Sequence, residues 1–354
     1  MKTAFILCLL SLCLSSTSHG QEGKMFTVDK DLSSSMLNKI YQDRDGIIWI
    51  ATEDGLNRYD GAKFTVYRNE KSNPHSLLND YVRTLYEDKQ GRLFIGSLNG
   101  LQIYDRATAS FTTIPMYLSS GASIDPNIAT ILERNNGEIL IGTSGHSMFL
   151  LETRGDSIKA RQISRFISSN LITYAYEDRK GNLWIATGDN GIFRFDKNNQ
   201  SKHYSGEKDI AKNTVSSMCE DKQGNLYMSS LKKGLFIYDD KKDVFIPFTD
   251  TPNPDLPIKI LYPGDQNEIF IGTDGSGMKV YDTQEQKIKE ANFNITTFNL
   301  KKAKVHSILK DKIGNIWLGF FQKGVMIIPA TTNEFKYMGY KSSVHNVIGS
   351  NCVM

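Results

Sequence analysis

The chain repeats one phrase along almost its whole length, and this repetition restricts the available folds more than any other feature. The clearest copy, residues 40–60, reads IYQDRDGIIWIATEDGLNRYD: an apolar run, an Asp-rich turn, a second apolar run and a Tyr-Asp ending. Further strong copies start at Leu85, Ala175, Met218 and Ile308, and weaker copies start at Ile131 and Ile260. Such a chain folds as an array of similar units packed on their neighbours.

The spacing of the copies predicts which array forms. The turn between the two apolar runs ends in glycine in most copies and has Asn267 in one, and successive turns lie 43 to 47 residues apart. A period near about 40–45 residues with several strands per unit is typical of β-propellers. The copies therefore predict an all-β fold, a seven-bladed β-propeller of four-stranded antiparallel blades.

Each copy contains four strand-like runs, which we name a, b, c and d in chain order. In the second copy they fall near Tyr81–Glu87, Arg92–Ser97, Leu101–Tyr104 and Phe111–Ile114. Run b is the most apolar, which predicts a strand buried on both faces. The tryptophans of the chain share one position of this run, so we expect core packing rather than a sugar-stacking platform for Trp49, Trp184 and Trp317.

The remaining local signals predict structure and not metal or cofactor chemistry. In the Asp-x-x-Gly turn the glycine supplies a positive φ and the Asp can cap the turn. A calcium loop needs glycine at its sixth place, whereas Gly46 stands at the fourth place when Asp43 is counted as the first. The glycine-rich residues 272–277 lack the Lys and helix of a phosphate loop, so they are predicted to be a b–c turn. We expect no cofactor and no metal.

Cys219 occupies a run-a position that holds tyrosine in other copies, which predicts a small buried hydrophobe. In an exported chain the alternative is a disulfide with Cys352. The formal net charge of +3 gives no electrostatic case for nucleic-acid binding.

Two segments compete for the strand that closes the ring. Residues 25–29 (MFTVD) resemble the run-d phrase at Phe64–Tyr67 and can supply the outer strand of the last blade. Alternatively, Phe335–Tyr340 fills that place and leaves the first strand to another propeller.

The ends of the chain predict export and a continuation. Residues 1–20 have a positive start, a short apolar core and small residues before Gln21, which is typical of a Sec signal peptide. We assign residues 21–340 to the propeller and residues 341–354 to the start of a further repeat, in a truncated second propeller. No other segment is apolar and long enough to span a membrane, so membrane attachment is expected only through regions downstream.

A ligand is most plausibly met by loop residues that vary between copies. In propellers the b–c and d–a loops emerge on one face, around the mouth of the channel. Side chains that bond sugar hydroxyls and aromatic side chains both occur there, and the lysines would suit a uronate or a sulfate. The candidate binding residues are Tyr81, Arg83, Tyr174, Asp189, Asn190, Lys232, Lys233, His306, Gln322 and Lys323.

The phrases of the repeat resemble a known family. The sequences LSS, YED, GNLWIAT and GLNRYD look like the two-component-regulator propeller repeat, across about residues 26–354. The resemblance implies the N-terminal periplasmic sensor region of a hybrid two-component system of Bacteroidetes. Such sensors detect glycan breakdown products and control polysaccharide-utilisation genes. We expect a homodimer in the full-length sensor, which would lie in the inner membrane and carry its histidine kinase outside this chain.

Two alternatives stay open at this point. A secreted propeller enzyme, a polysaccharide lyase or hydrolase, would need a catalytic centre at the channel mouth, and no motif ties His306, Tyr174 and Glu53 together. A propeller that binds other proteins is the other alternative. We expect this segment not to be an enzyme.

Overall fold

The computed structural model describes residues 23–155, 157–163, 167, 169–205, 215–293, 295 and 298–330. The strands within these residues form seven sheets, built mainly from antiparallel pairs, and each sheet is one blade of a propeller. The only helical segment among the described residues is a 3-10 turn at Leu300–Lys302, and no helix there is long and apolar enough to cross a membrane.

The first four blades follow the chain from its first full repeat. Blade 1 consists of Leu37–Gln42, Ile48–Thr52, Gly55–Tyr59 and Phe64–Tyr67. Blade 2 consists of Val82–Glu87, Leu93–Ser97, Gly100–Asp105 and Ser110–Ile114. Blade 3 contains Ile128–Glu133, Ile139–Thr143, Met148–Arg154 and Ser157–Ile163. Blade 4 consists of Ile172–Glu177, Leu183–Thr187, Ile192–Phe195 and Ser201–Tyr204.

The last three blades complete the ring. Blade 5 consists of Val215–Glu220, Leu226–Ser230, Gly234–Asp239 and Val244–Pro247. Blade 6 consists of Ile258–Pro263, Glu268–Thr273, Met278–Asp282 and Lys287–Glu290. Blade 7 takes Val305–Lys310, Ile316–Phe320 and Gly324–Ile328 from the end of the described chain and Lys24–Phe26 from its start.

The first strand of each blade, strand a, is the innermost one. Each strand a contacts the strand a of the next blade, and the strand a of blade 7 contacts that of blade 1, so these strands enclose the channel. The apolar core is divided into clusters that each lie between two neighbouring blades. The seven-bladed, four-stranded antiparallel fold expected from the repeats is confirmed.

The N-terminal strand closes the ring. Met25 pairs with Met326 in antiparallel register, and Phe26 pairs with Val325. The first of the two closing segments is therefore the one observed, while Phe335–Tyr340 lies outside the described residues. Gly324 has a φ of 91°, and a side chain there would collide with the carbonyl oxygen of Phe26, so glycine permits this close approach.

Blade 3 departs from the expected pattern because it has six strands. The connection from blade 2 forms a small hairpin, Met116–Tyr117 with Ser123–Ile124, on the outer edge of this blade. Met116 pairs in parallel with Ala160. The polar stretch that follows the third turn thus extends two strands and covers their edge with a hairpin.

Strand b is buried on both faces, as predicted. Every residue of Ile48–Thr52 and of Leu183–Thr187 is buried, and the exposed fraction of Trp184 is 0%. The indole Nε1 of Trp184 donates a hydrogen bond of 2.8 Å to Oδ2 of Asp178, whose Oδ1 caps the a–b turn. The same bond joins Trp49 to Asp43 and Trp317 to Asp311. The turn Asp therefore anchors the core tryptophan as well as the turn, which the sequence analysis did not foresee.

Several smaller expectations are also settled by the structure. Cys219 is a free thiol with an exposed fraction of 4%, which confirms the small buried hydrophobe. Residues 272–277 join strand b of blade 6 to its strand c, as expected. The signal peptide, residues 341–354 and Cys352 lie outside the described residues.

Candidate functional site

The b–c loops and the d–a connections meet at one face of the propeller. The Gly55 N–H, in the b–c loop of blade 1, donates a 2.7 Å hydrogen bond to the carbonyl of Asp80, which leads into blade 2. Ser144 and Asp274 make isolated β-bridges to Leu171 and Lys304, which lead into the following blades. This face therefore carries the mouth of the channel that the innermost strands enclose, and we call it the mouth.

Every strand a has a β-bulge near the mouth. In each blade the pairing with strand b skips the second residue of strand a, for example Arg83 between Val82 and Thr84. A bulge of this kind re-aims a side chain and leaves its residue outside the ladder. We call these residues the bulge ring: Asn38, Arg83, Ala129, Thr173, Ser216, Lys259 and His306.

The bulge ring has two chemically different halves. The consecutive blades 6, 7, 1 and 2 contribute Lys259, His306, Asn38 and Arg83, and Lys39 follows Asn38 one residue deeper. Blades 3, 4 and 5 contribute Ala129, Thr173 and Ser216, which are small and uncharged. The channel is therefore basic on one side and neutral on the other.

Arg83 spans the seam between blades 2 and 3. Its Nη1 donates to Oδ1 of Asn127 at 2.5 Å and to Oγ of Ser144 at 3.3 Å. Burial lowers the pKa of the guanidinium because the charged form loses solvation. No carboxylate in the described part of the chain bonds to it, so its partners are neutral.

His306 belongs to a cluster on blades 6 and 7. Its Nε2 lies 3.1 Å from Oδ1 of Asp274, and Nζ of Lys304 lies 3.2 Å from the same oxygen. Burial lowers the pKa of His306 although Asp274 opposes that shift. Phe321 packs beside this pair, with its ring centroid 5.1 Å from that of His306 and 5.2 Å from Nζ of Lys304.

Tyr81 and Glu53 form a polar pair between blades 1 and 2. The Tyr81 hydroxyl donates to Oε1 of Glu53 at 2.9 Å. Burial and this carboxylate raise the pKa of Tyr81, so the hydroxyl remains a donor at neutral pH.

The other candidate residues are spread over the loops. Tyr174 is half-buried and packs against the core cluster between blades 4 and 5, and burial raises the pKa of its hydroxyl. Oδ1 of Asp189 accepts a hydrogen bond of 2.5 Å from Ser169, and the carbonyl of Asn190 lies 2.6 Å from Nε2 of His203. These contacts fix the b–c loop of blade 4.

The candidate lysines of the b–c loops make their contacts with residues outside the bulge ring. Lys233 pairs with Asp255 at 3.2 Å, and both side chains are more than half exposed. Lys232 uses its backbone N–H to cap the loop at Ser230. Lys323 lies over the ring of Phe298 at 5.3 Å, and the neighbouring Gln322, with a φ of 61°, bonds through its N–H to the Ser35 carbonyl.

Two basic residues of the site escaped the sequence analysis. Lys259 occupies the same repeat position as Arg83 and His306, in the weakly matching sixth copy. Lys39 follows the bulge in blade 1, and its Nζ lies 3.4 Å from Oγ1 of Thr84. Aligning the copies on the buried aliphatic residue that opens strand a would have identified Lys259, whereas Lys39 has no basic counterpart in another copy.

The described residues contain no group of three or more His, Cys, Asp or Glu side chains placed to hold a metal ion. The side chains at the mouth offer hydrogen bonding, charge and aromatic contact. This combination suits the binding of a polar ligand.

Comparison with known proteins identifies the repeat. The model of the family described as "Two component regulator propeller" matches residues 31–54, 76–99, 167–189 and 209–232. A segment of 75 residues is 33% identical to Histidine kinase P4 of Formosa agariphila, covering 21% of this chain and 6% of that protein.

Solved structures share the fold. The extracellular domain of a putative hybrid two component system from B. thetaiotaomicron matches with a TM-score of 0.72 and 21% identity, over 88% of this chain and 42% of that one. A streptogramin B lyase matches with a TM-score of 0.64 and 16% identity, over 86% of this chain and 96% of that one. At these identities the likeness shows a common fold. This chain spans less than half the length of the kinase and of the sensor structure.

The chain is a seven-bladed β-propeller, and four of its segments match the two-component-regulator propeller repeat. It shares this architecture with the extracellular domains of hybrid two component systems. The resemblance stated from the sequence is confirmed for the repeat family and for the fold.

Proposed function

We propose that this chain is the periplasmic ligand-binding module of a two-component sensor and that it detects oligosaccharides released from glycans. The observation that carries the proposal is the bulge ring, in which the same repeat position holds a different residue in each of the seven blades. A position that only supported the fold would keep its residue type, as the position before it does with a buried Leu, Val or Ile in every blade. The repeat family supports the assignment to two-component sensing.

The module acts by binding, and signalling belongs to the full-length sensor. Export by residues 1–20, a homodimer, and attachment to the inner membrane through downstream regions that include a kinase are parts of the same proposal. Binding at the mouth would change how this propeller meets its neighbours in the assembled sensor.

The test is titration calorimetry of the purified chain against a panel of neutral and acidic oligosaccharides. Saturable binding is expected for at least one member. In the matched variant Ala129→Trp an indole fills the neutral half of the bulge ring, and binding should be lost whatever the charge of the ligand. Ala107→Trp, an exposed change in a c–d turn, is the control and should bind normally.

The titrated mixtures also test the second candidate function, an enzyme. The His306–Asp274 pair at 3.1 Å is the observation that favours it, because a carboxylate can orient an imidazole for proton transfer. Chromatography should show the oligosaccharide intact after prolonged incubation. Its breakdown with turnover would replace the sensor proposal by the enzyme, and an absence of binding across the panel would defeat both.

A further inference from the structure

The basic half of the bulge ring contains cations that lack anionic partners. Lys259 is half-buried, and no hydrogen bond or ion pair from any described residue reaches its ammonium group. Burial lowers its pKa. The charge of Asp274 opposes that shift, and the charge of Arg83, three blades on around the ring, adds to it. The two cations belong to the same half of the bulge ring.

Lys39 adds a third charge deeper in the channel. Its ammonium contacts a hydroxyl, that of Thr84, and lies 5.9 Å from the ring centroid of Tyr41. Burial lowers its pKa to about 8. A buried ammonium group without a carboxylate is unfavourable unless something pairs with it.

Two acidic groups near the mouth are already engaged. Asp274 lies between His306 and Lys304, and those contacts outweigh its burial and lower its pKa. Glu53 accepts the hydrogen bond of Tyr81. Among the described residues, then, no carboxylate makes a hydrogen bond or an ion pair with Arg83, Lys259 or Lys39, and Asp274, whose charge reaches Lys259, is already paired with His306 and Lys304.

The neutral half offers room and hydroxyl groups opposite these charges. Ala129 and Ser216 are small, and the Ser216 hydroxyl lies 2.9 Å from that of Ser229. Oγ1 of Thr173 is buried and has no hydrogen-bond partner within the described structure. An unsatisfied hydroxyl on the side opposite the cations is suited to a polar, uncharged part of a ligand.

We propose that the mouth binds an acidic oligosaccharide, with its uronate or sulfate held by Arg83, Lys259 and Lys39 and its hydroxyl-bearing part against Thr173. This rests on the proposed function and specifies its ligand class. Arginine and lysine are the side chains that best bind carboxylate and sulfate oxygens, and such charge-assisted bonds are stronger than neutral ones. The oxyanion would supply the partner that these cations lack.

The experiment compares matched ligands on the purified chain. Trigalacturonate is titrated against its carboxyl-reduced trisaccharide, and a sulfated chondroitin disaccharide against the unsulfated one. In at least one pair the acidic ligand should bind more tightly, and its affinity should fall with added salt. Arg83→Gln and Lys259→Gln should each weaken it by about tenfold or more, whereas Lys241→Gln, an exposed change on blade 5, should stay within about twofold.

The outcomes separate the two proposals. Binding of neutral sugars alone, lost in Ala129→Trp, would overturn the anionic ligand and leave the sensor module standing. If the double variant Lys232→Gln/Lys233→Gln loses acidic-ligand binding and Arg83→Gln does not, then the lysines of the b–c loop bind the anionic group of the ligand. That result would overturn the inference. No binding of any sugar would defeat both.

Thermal unfolding excludes a merely structural role for Lys259. Removing an unpaired, partly buried charge should leave the unfolding temperature of Lys259→Gln equal to or above that of the unmodified chain. A fall of several degrees would mean that the ammonium supports the fold, and the affinity loss could then not be assigned to the ligand.

Discussion

Asp243 shows how much a single side chain can organise in this fold. It sits in the c–d turn of blade 5 with a φ of 55°, a conformation that Asp and Asn tolerate better than most residues. Its carboxylate accepts bonds from Tyr204 at 2.6 Å, from Arg194 at 2.7 Å and from Tyr238. Lys202 adds an ion pair at 2.8 Å. Since most of these donors belong to blade 4, Asp243 ties two blades together at the face opposite the mouth.

The first prediction follows from the charge of Asp243. Burial alone would raise its pKa, but the bonds from Lys202 and the two tyrosines and the charge of Arg194 lower it to about 2. The stability it contributes is therefore present above the pKa of an unfolded Asp, about 3.9, and is lost as pH falls toward 2. Asp243→Asn should destabilise the chain by about 1–2 kcal/mol at pH 7.

Urea unfolding at pH 7 and at pH 3 measures the effect. The difference between the unmodified chain and Asp243→Asn should shrink at pH 3. Asp240→Asn is the control, because its side chain is 61% exposed and its pair with Lys180 is worth little. A deficit that is the same at both pH values would contradict the role given to the carboxylate charge.

At the scale of the strand, the Glu of the YED phrase joins neighbouring blades. The last residue of strand a accepts a hydrogen bond from a backbone N–H in the a–b turn of the preceding blade. Arg44 donates to Glu87 at 2.6 Å, Lys89 to Glu133 at 2.9 Å and Arg179 to Glu220 at 3.0 Å. Asn135 and Lys312 donate in the same way to Glu177 and Gln42.

The two seams around blade 6 use other contacts. The equivalent residue is Pro263 at the seam with blade 5, where Gln223 donates to Oδ1 of Asn267 at 3.0 Å instead. At the seam with blade 7 it is Lys310, which pairs with Asp265. The sixth and seventh copies therefore lack a blade-to-blade bond that the other five copies share.

The second prediction compares two replacements of Glu133. Glu133→Ala removes the acceptor and should destabilise the chain by about 1 kcal/mol. Glu133→Gln keeps an acceptor oxygen and should lose less than half of that, because Gln42 makes the same bond with an amide oxygen. Guanidinium unfolding of both variants provides the measurement. Equal losses would show that the negative charge, and not the hydrogen bond, is what matters.

The strands of the propeller were largely predictable, and the departures have physical causes. Period-two patterning and the glycine turns located strands a to d of blade 2 to within one residue at each end. The hairpin at Met116 was missed because its strands have two residues each, too few to show a period. The bulge at Arg83 leaves no mark in one copy, since it depends on pairing with a strand elsewhere in the sequence.

At the scale of the whole molecule, closure depends on a strand of three residues. Phe26 has an exposed fraction of 2% and packs between blades 7 and 1. Its ring lies 5.0 Å from that of Phe64 and 6.2 Å from that of Trp317, measured between centroids. One side chain therefore fills the last seam of the ring.

The third prediction is that Phe26→Ala destabilises the chain by about 3 kcal/mol, the loss usual for a buried phenylalanine. Val28→Ala, at a position 44% exposed, should change stability by less than about 0.5 kcal/mol. Thermal unfolding measures both. If Phe26→Ala matches Val28→Ala, then the N-terminal strand does not hold the ring closed.

The repeat predicted which face of the propeller carries the site, but it did not predict all the residues of the site. Repeat logic placed Arg83 and His306 at the mouth, and the structure places both in the bulge ring. Lys39 was missed because no other copy has a basic residue at its position, and its ammonium group reaches Thr84 of blade 2 only in the folded chain.

The pairing of Lys24 with Ile327 also determines when the ring can close during synthesis of the chain. A strand synthesised first finds its partner only after some three hundred further residues have been made. Until then the nascent chain is an open crescent with one apolar flank exposed at each end. Slow synthesis of the last blade would therefore prolong the exposure of these flanks to chaperones and proteases.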